Sequence, residues 1–84
     1  MMNWQLVVAK SAGKALKDLP AKDRLRVERA LDALQRDPFS GDIKRLDPPA
    51  WHRRVGNDRI FYDLFLEQHL IVVTAIKRRT TTTY

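Results

Sequence analysis

Three side chains near the middle of the chain, His52 (a cation when protonated), Arg54 and Arg59, are of types that suit work on a phosphate ester. An arginine guanidinium is a planar fork that matches phosphate oxygens and never loses its charge, so it can hold a phosphate but is a poor proton carrier. Histidine is complementary, because its ordinary pKa lies near neutrality and it can take or give a proton. Cleaving RNA by attack of a 2′-hydroxyl on the adjacent phosphate asks for both functions: a proton acceptor, a proton donor for the leaving 5′-oxygen, and positive charge around the phosphate. Further along, Lys77, Arg78 and Arg79 form a second cationic cluster that could close such a site, and Tyr84 could stack on a base or act as an acid.

The segment from Trp51 to Asp63 would position the first cluster. Residues 51 to 55 read with period two, Trp51, Arg53 and Val55 pointing one way and His52 and Arg54 the other. Gly56, Asn57 and Asp58 are residue types that accept a turn, and a second strand follows from Arg59 to Leu66, so the segment predicts an antiparallel hairpin. Trp4 to Val8 predicts an opening strand. Ser11 is a candidate cap for a helix whose apolar residues Ala12, Ala15, Leu16 and Leu19 share one stripe. Pro20 interrupts, and a longer helix from Ala21 carries Val27, Ala30, Leu31 and Leu34 on one face until Asp37-Pro38 stops it. Residues 39 to 50, rich in proline and without periodicity, read as a loop. After a turn at Glu67, Gln68 and His69, Leu70 to Ile76 predicts a central strand covered on both faces.

The expected fold class is therefore α+β: strand-helix-helix-strand-strand-strand, an antiparallel sheet with an αα-hairpin packed on one face and the cations on the other. At 84 residues the chain forms a single domain with one core. It contains no cysteine, which excludes disulfides, thiolate metal sites and thiol nucleophiles, and two histidines seventeen positions apart do not suggest a metal site. No cofactor is implied. No apolar run is long enough to span a membrane and Met1 to Ala9 lacks the features of a signal peptide, so no membrane partner and a cytoplasmic location are expected. The net charge of +6 makes polyanions the first partners to consider. The excess sits in the strand-rich half: residues 1 to 42 carry eight Lys or Arg against six acids, and residues 43 to 84 carry eight against four.

The same residues also suit structural work. Arg54 and Arg59 could be charges that discourage sheet-to-sheet aggregation, and Arg59 could pair with Asp63 two residues on. His52 could be a polar residue on an exposed strand, Lys77 to Arg79 a solvated strand end, and Trp51 and Phe61 core aromatics.

The stretch Trp51-His52-Arg53-Arg54-Val55-Gly56-Asn57-Asp58-Arg59-Ile60-Phe61-Tyr62 resembles the aromatic-basic-x-basic-Val-Gly-x-x-Arg-Ile-x-Tyr hairpin of the RelE/ParE superfamily, toxins of type II toxin-antitoxin pairs. The Lys44-Arg45-Leu46 lead-in, the element order, and a last strand running into Lys77-Arg78 with Tyr84 six residues on extend the resemblance over nearly the whole chain. For the RelE branch it implies a metal-independent, ribosome-dependent endoribonuclease that cuts mRNA in the A site and inhibits translation. Its catalytic set would be His52, Arg54, Arg59, Arg78 and Tyr84, with Lys44, Arg45, Lys77 and Arg79 binding RNA. Arg54 and Arg59 would steady the phosphate, Arg78 would stabilise the transition state, and Tyr84 would stack on or protonate the substrate. The implied partners are a cognate antitoxin, in a complex expected to be oligomeric, and the ribosome with its mRNA. The runner-up is a ParE-like toxin that binds and poisons DNA gyrase, and a third reading is a degenerate homologue that cuts nothing; Arg54, Arg59, Arg78 and Tyr84 favour the nuclease, because a gyrase binder has no need of a phosphate cage. A lysine or arginine is usual where His52 stands, and Thr80 occupies a place that is often basic.

Overall fold

The computed structural model describes residues 4–78. Strand β1 (Gln5–Val8) leads into helix α1 (Lys10–Asp18) and helix α2 (Ala21–Arg36), followed by strands β2 (Ile43–Arg45), β3 (Ala50–Val55), β4 (Asp58–Phe65) and β5 (Leu70–Arg78). The α1–α2 break falls at Pro20, whose fixed backbone cannot continue a helix but is well placed to start one, and it stands as the N-cap of α2. Ser11 does not cap α1. The cap position is Ala9, with no side-chain hydrogen bond, and Ser11 lies inside the first turn.

The five strands form one sheet in the order β1-β5-β4-β3-β2. The α+β class is as expected, with two differences in the sheet. β1 lies parallel to β5, so the sheet is mixed; every other neighbouring pair is antiparallel. Almost the whole chain separates β1 from β5, and a connection of that length does not force the antiparallel pairing that a short turn would. The segment read as a loop also contributes β2, a three-residue edge strand held by β3 through Ile43 opposite Arg53, Lys44 opposite His52 and Arg45 opposite Trp51. Three residues are too few to show an alternation in the sequence.

Both helices pack on one face. The α2 stripe Val27, Ala30, Leu31 and Leu34 meets Ile60, Tyr62 and Leu64 of β4 and Ile71, Val73 and Ile76 of β5, with Ala12 of α1 beside them. Alternation along β4 is strict: residues 58, 60, 62 and 64 are buried and 59, 61, 63 and 65 only partly so. β5 is central in its neighbours but covered on one face alone, since Val72 stays half-buried and Thr74 exposed. Tyr62, completely buried, donates its hydroxyl to the Pro38 carbonyl at 2.9 Å, and burial pushes its pKa up to about 12, so it stays a neutral donor.

Candidate functional site

The β3–β4 hairpin turns on Gly56 and Asn57 alone, with Val55 and Asp58 already paired across it. Gly56 has φ of +59° and Asn57 has none of the positive kind, the pattern of a two-residue type II′ turn with glycine first. The turn fixes the register, and with it the face on which every later side chain stands. His52 lies opposite Phe61 and Arg54 opposite Arg59. Phe61 and Arg59 occupy the half-buried positions of β4, so all four project from the face away from the helices. Lys44 joins them from β2, opposite His52, and Lys77 from β5, opposite Arg59.

Lys77 reaches this face because of one irregularity. β4 and β5 pair Phe61 with Ala75 but Tyr62 with Val73, leaving Thr74 as an extra residue in β5, where its hydroxyl donates to the Phe61 carbonyl at 3.3 Å. Before the bulge the odd-numbered residues Ile71 and Val73 face the helices; after it the even-numbered Ile76 does. The shift sends Lys77 to the open face, with its ammonium 5.4 Å from the centroid of the Phe61 ring. It sends Arg78 to the other side, where Nη2 lies 3.1 Å from Asp23 Oδ2 on α2.

The predicted site residues therefore divide. His52, Arg54, Arg59, Lys44 and Lys77 share the open face, whereas Arg78 and Arg45 do not. Arg45 stands opposite Trp51, which packs against the core and meets the Phe39 ring edge-on at 5.6 Å. Arg79 and Tyr84 lie outside the described residues. Among the described residues Arg59 has no carboxylate within ion-pairing distance, so the Asp63 pairing is not formed.

On the open face the His52 ring lies 5.6 Å from that of Phe61, and its Nδ1 is buried without a protein partner, as is Arg59 Nε. Burial, then the charges of Arg59, Lys44 and Arg54, hold the His52 pKa below its ordinary value against an opposing pull from Asp42. The imidazole thus favours its neutral form, with Lys44, Arg54 and Arg59 around it. This arrangement can hold a phosphodiester and take a proton beside it. Asp42, which the sequence did not single out, is fixed because its carbonyl accepts from Arg54 N at 2.9 Å.

Arg53, the residue that spoiled the alternation of β3, points into the helix side. Its Nη1 donates to the Ala30 carbonyl and to Ser40 Oγ, both at 3.4 Å, and its guanidinium fills the space beside Gly41. Gly41 has φ of +81°, and a Cβ there would come within 2.6 Å of the guanidinium carbon. Arg53 and Tyr62 together clamp the segment 37–42, and that segment delivers β2 with Lys44 to the edge of the site.

No family model matches the chain, and no curated protein matches it in sequence. Solved structures do match in shape. The archaeal RelE–RelB complex from Pyrococcus horikoshii superposes with a TM-score of 0.85 at 23% identity, covering 96% of this chain and 100% of that one. A toxin–antitoxin complex from Mycobacterium tuberculosis gives 0.81 at 21%, covering 93% and 100%. The isolated RelE toxin of E. coli gives 0.81 at 17%, covering 94% and 87%. A YoeB/ParE toxin from Agrobacterium tumefaciens gives 0.74 at 18%, covering 90% and 99%. With the helix pair on one face, a mixed five-stranded sheet, and agreement over nearly the full length of these structures, the chain has the RelE fold.

Proposed function

We propose that this chain is the toxin of a type II toxin-antitoxin pair and that it cleaves mRNA in the ribosomal A site. The observation that carries the reading is the open sheet face, where a histidine that favours its neutral form stands among Lys44, Arg54, Arg59 and Lys77. A set of cations around one proton acceptor is what attack by a 2′-hydroxyl requires. Arg54 and Arg59 hold the phosphate, His52 accepts the 2′-hydroxyl proton, and Lys77 neutralises charge on the far side of Arg59. Phe61, half-buried between His52 and Lys77, gives a base an aromatic surface. Arg78 serves the transition state after leaving Asp23, and Tyr84 supplies the leaving-group proton.

The proposed partner is a small antitoxin that covers the basic face. Solved structures of the same fold include a RelE–RelB complex from Pyrococcus horikoshii and a toxin–antitoxin complex from Mycobacterium tuberculosis.

The test is to add purified protein to ribosomes programmed with a defined mRNA, with free mRNA as control, and to map the 3′ ends. Cuts at the A-site codon on ribosomes alone establish the reading. No cuts in either tube reject it, and a gyrase supercoiling assay then decides whether the chain acts as a ParE-like toxin.

A further inference from the structure

Arg78 is the one cation of the predicted catalytic set, among the described residues, that carries an acid partner. One carboxylate pairs with it and a second lies nearby. Asp23, from the first turn of α2, lies 3.1 Å away and is only 18% exposed, while the arginine side chain is 46% exposed. Asp58 sits directly opposite Arg78 across β4 and β5, is buried to 2%, and has an Oδ1 with no protein partner. Its carboxyl is held above the usual range by burial and then by the nearby charge of Asp23, against the pull of Arg78. An acid-guanidinium-acid cluster thus spans α2, β4 and β5 on the opposite side of the sheet from the open-face cations.

We propose that Asp23 and Asp58 are positioning residues that latch Arg78 against the helices, so that a bound RNA must draw the guanidinium away from Asp23 before it can serve the reaction. The inference rests on the reading of this chain as a nuclease. Three features support it. The Thr74 bulge, not chance flexibility, sets Arg78 on this side. With no RNA present, Lys77 and Arg59 would repel another cation, so the resting place of Arg78 is beside the acids. A half-exposed ion pair is also weak enough to open, whereas a guanidinium on a phosphate gains a bidentate, charge-assisted pair.

The experiment reads Arg78 in two ways. Phenylglyoxal labelling, quantified at Arg78 by mass spectrometry with Arg54 as internal reference, reports how freely the guanidinium is offered. Asp23→Asn should raise labelling and, on programmed ribosomes, raise the cleavage rate about two- to fivefold, in line with losing a partly exposed ion pair. Asp23→Glu should restore wild-type labelling, and Asp23→Asn combined with Arg78→Ala should show none of the gain in rate. Unchanged labelling in folded Asp23→Asn overturns the latch, as does a fall in cleavage. If Asp23→Asn does not fold, Asp58→Asn takes its place under the same criteria. Absence of cleavage by the wild type rejects the nuclease reading instead, and the labelling still decides the latch.

Discussion

The two faces of the sheet treat neighbouring charges in opposite ways. Four pairs of consecutive charged residues are split by the pleat: Lys44 from Arg45, Arg54 from Arg53, Arg59 from Asp58, and Lys77 from Arg78. On the helix side three of the four partners are engaged in structure, while Arg45 stays exposed. Arg53 is bonded to Ala30 and Ser40, Arg78 to Asp23, and Asp58 is buried beside both acid and base. Among the described residues, the partner on the open side has no acid within ion-pairing distance. The lesson is that charge in this chain cannot be assigned a role by type or by position in sequence, only by face: one set holds the fold together and the other is left for something outside it.

The comparison breaks most sharply if an open-face charge turns out to be structural. Arg59→Ala should lower ribosome-dependent cleavage by a hundredfold or more, the scale of losing one preorganised charge-stabilising group, while the melting temperature moves by no more than a few degrees. Arg54→Ala should act in the same direction. If either variant unfolds instead, its guanidinium belongs with Arg53. His52→Lys sharpens the same point: activity kept or raised would mean that the position needs a cation and not a proton acceptor.

Arg53 and Gly41 give the mirror-image expectation. Arg53→Ala strips the clamp on segment 37–42 and removes two part-buried hydrogen bonds, each worth about 0.5–1.5 kcal/mol. Gly41→Ala forces a Cβ into the guanidinium from a left-handed backbone, which costs about 1–2 kcal/mol in backbone terms alone. In a domain of this size each kcal/mol lowers the melting temperature by about 4–8 °C, so both effects are easily seen by thermal denaturation. Cleavage measured well below the melting point should fall much less than in Arg59→Ala.

Much of this division can be read in the sequence, and what cannot has a physical cause. Period two over residues 51 to 55 already set Arg53 with Trp51 and Val55 and apart from His52 and Arg54, and the apolar stripe Val27, Ala30, Leu31 and Leu34 marked the face of α2 that is buried. The Gly-Asn turn fixed where β4 begins, although Asp58, a turn-like residue, stands in the strand with its side chain buried. The bulge is different. Nothing about Thr74 announces that it is unpaired, since the bulge arises from how β5 accommodates β4 across the sheet. One inserted residue exchanges the faces of everything after it, so the choice between Lys77 and Arg78 for the open face is invisible from the local pattern.

The smallest effect expected concerns His52 and pH. Its pKa in the folded chain is below the ordinary 6.5, so the unfolded chain takes up the proton first as pH falls. The stability linked to His52 is therefore fully present above pH 6.5 and is lost as pH drops from there through the folded-state value. His52→Gln removes this one contribution and leaves the carboxylates as they were. The melting temperature of the variant minus that of the wild type should thus be constant above pH 6.5 and rise on acidification. The same proton should give wild-type cleavage an acid limb that His52→Gln lacks in whatever activity it retains. A difference in melting temperature that stays flat from pH 7 down to pH 5 would mean that neither burial nor the cations of the open face lower the His52 pKa, and that the neutral base assigned to it is not created by its surroundings.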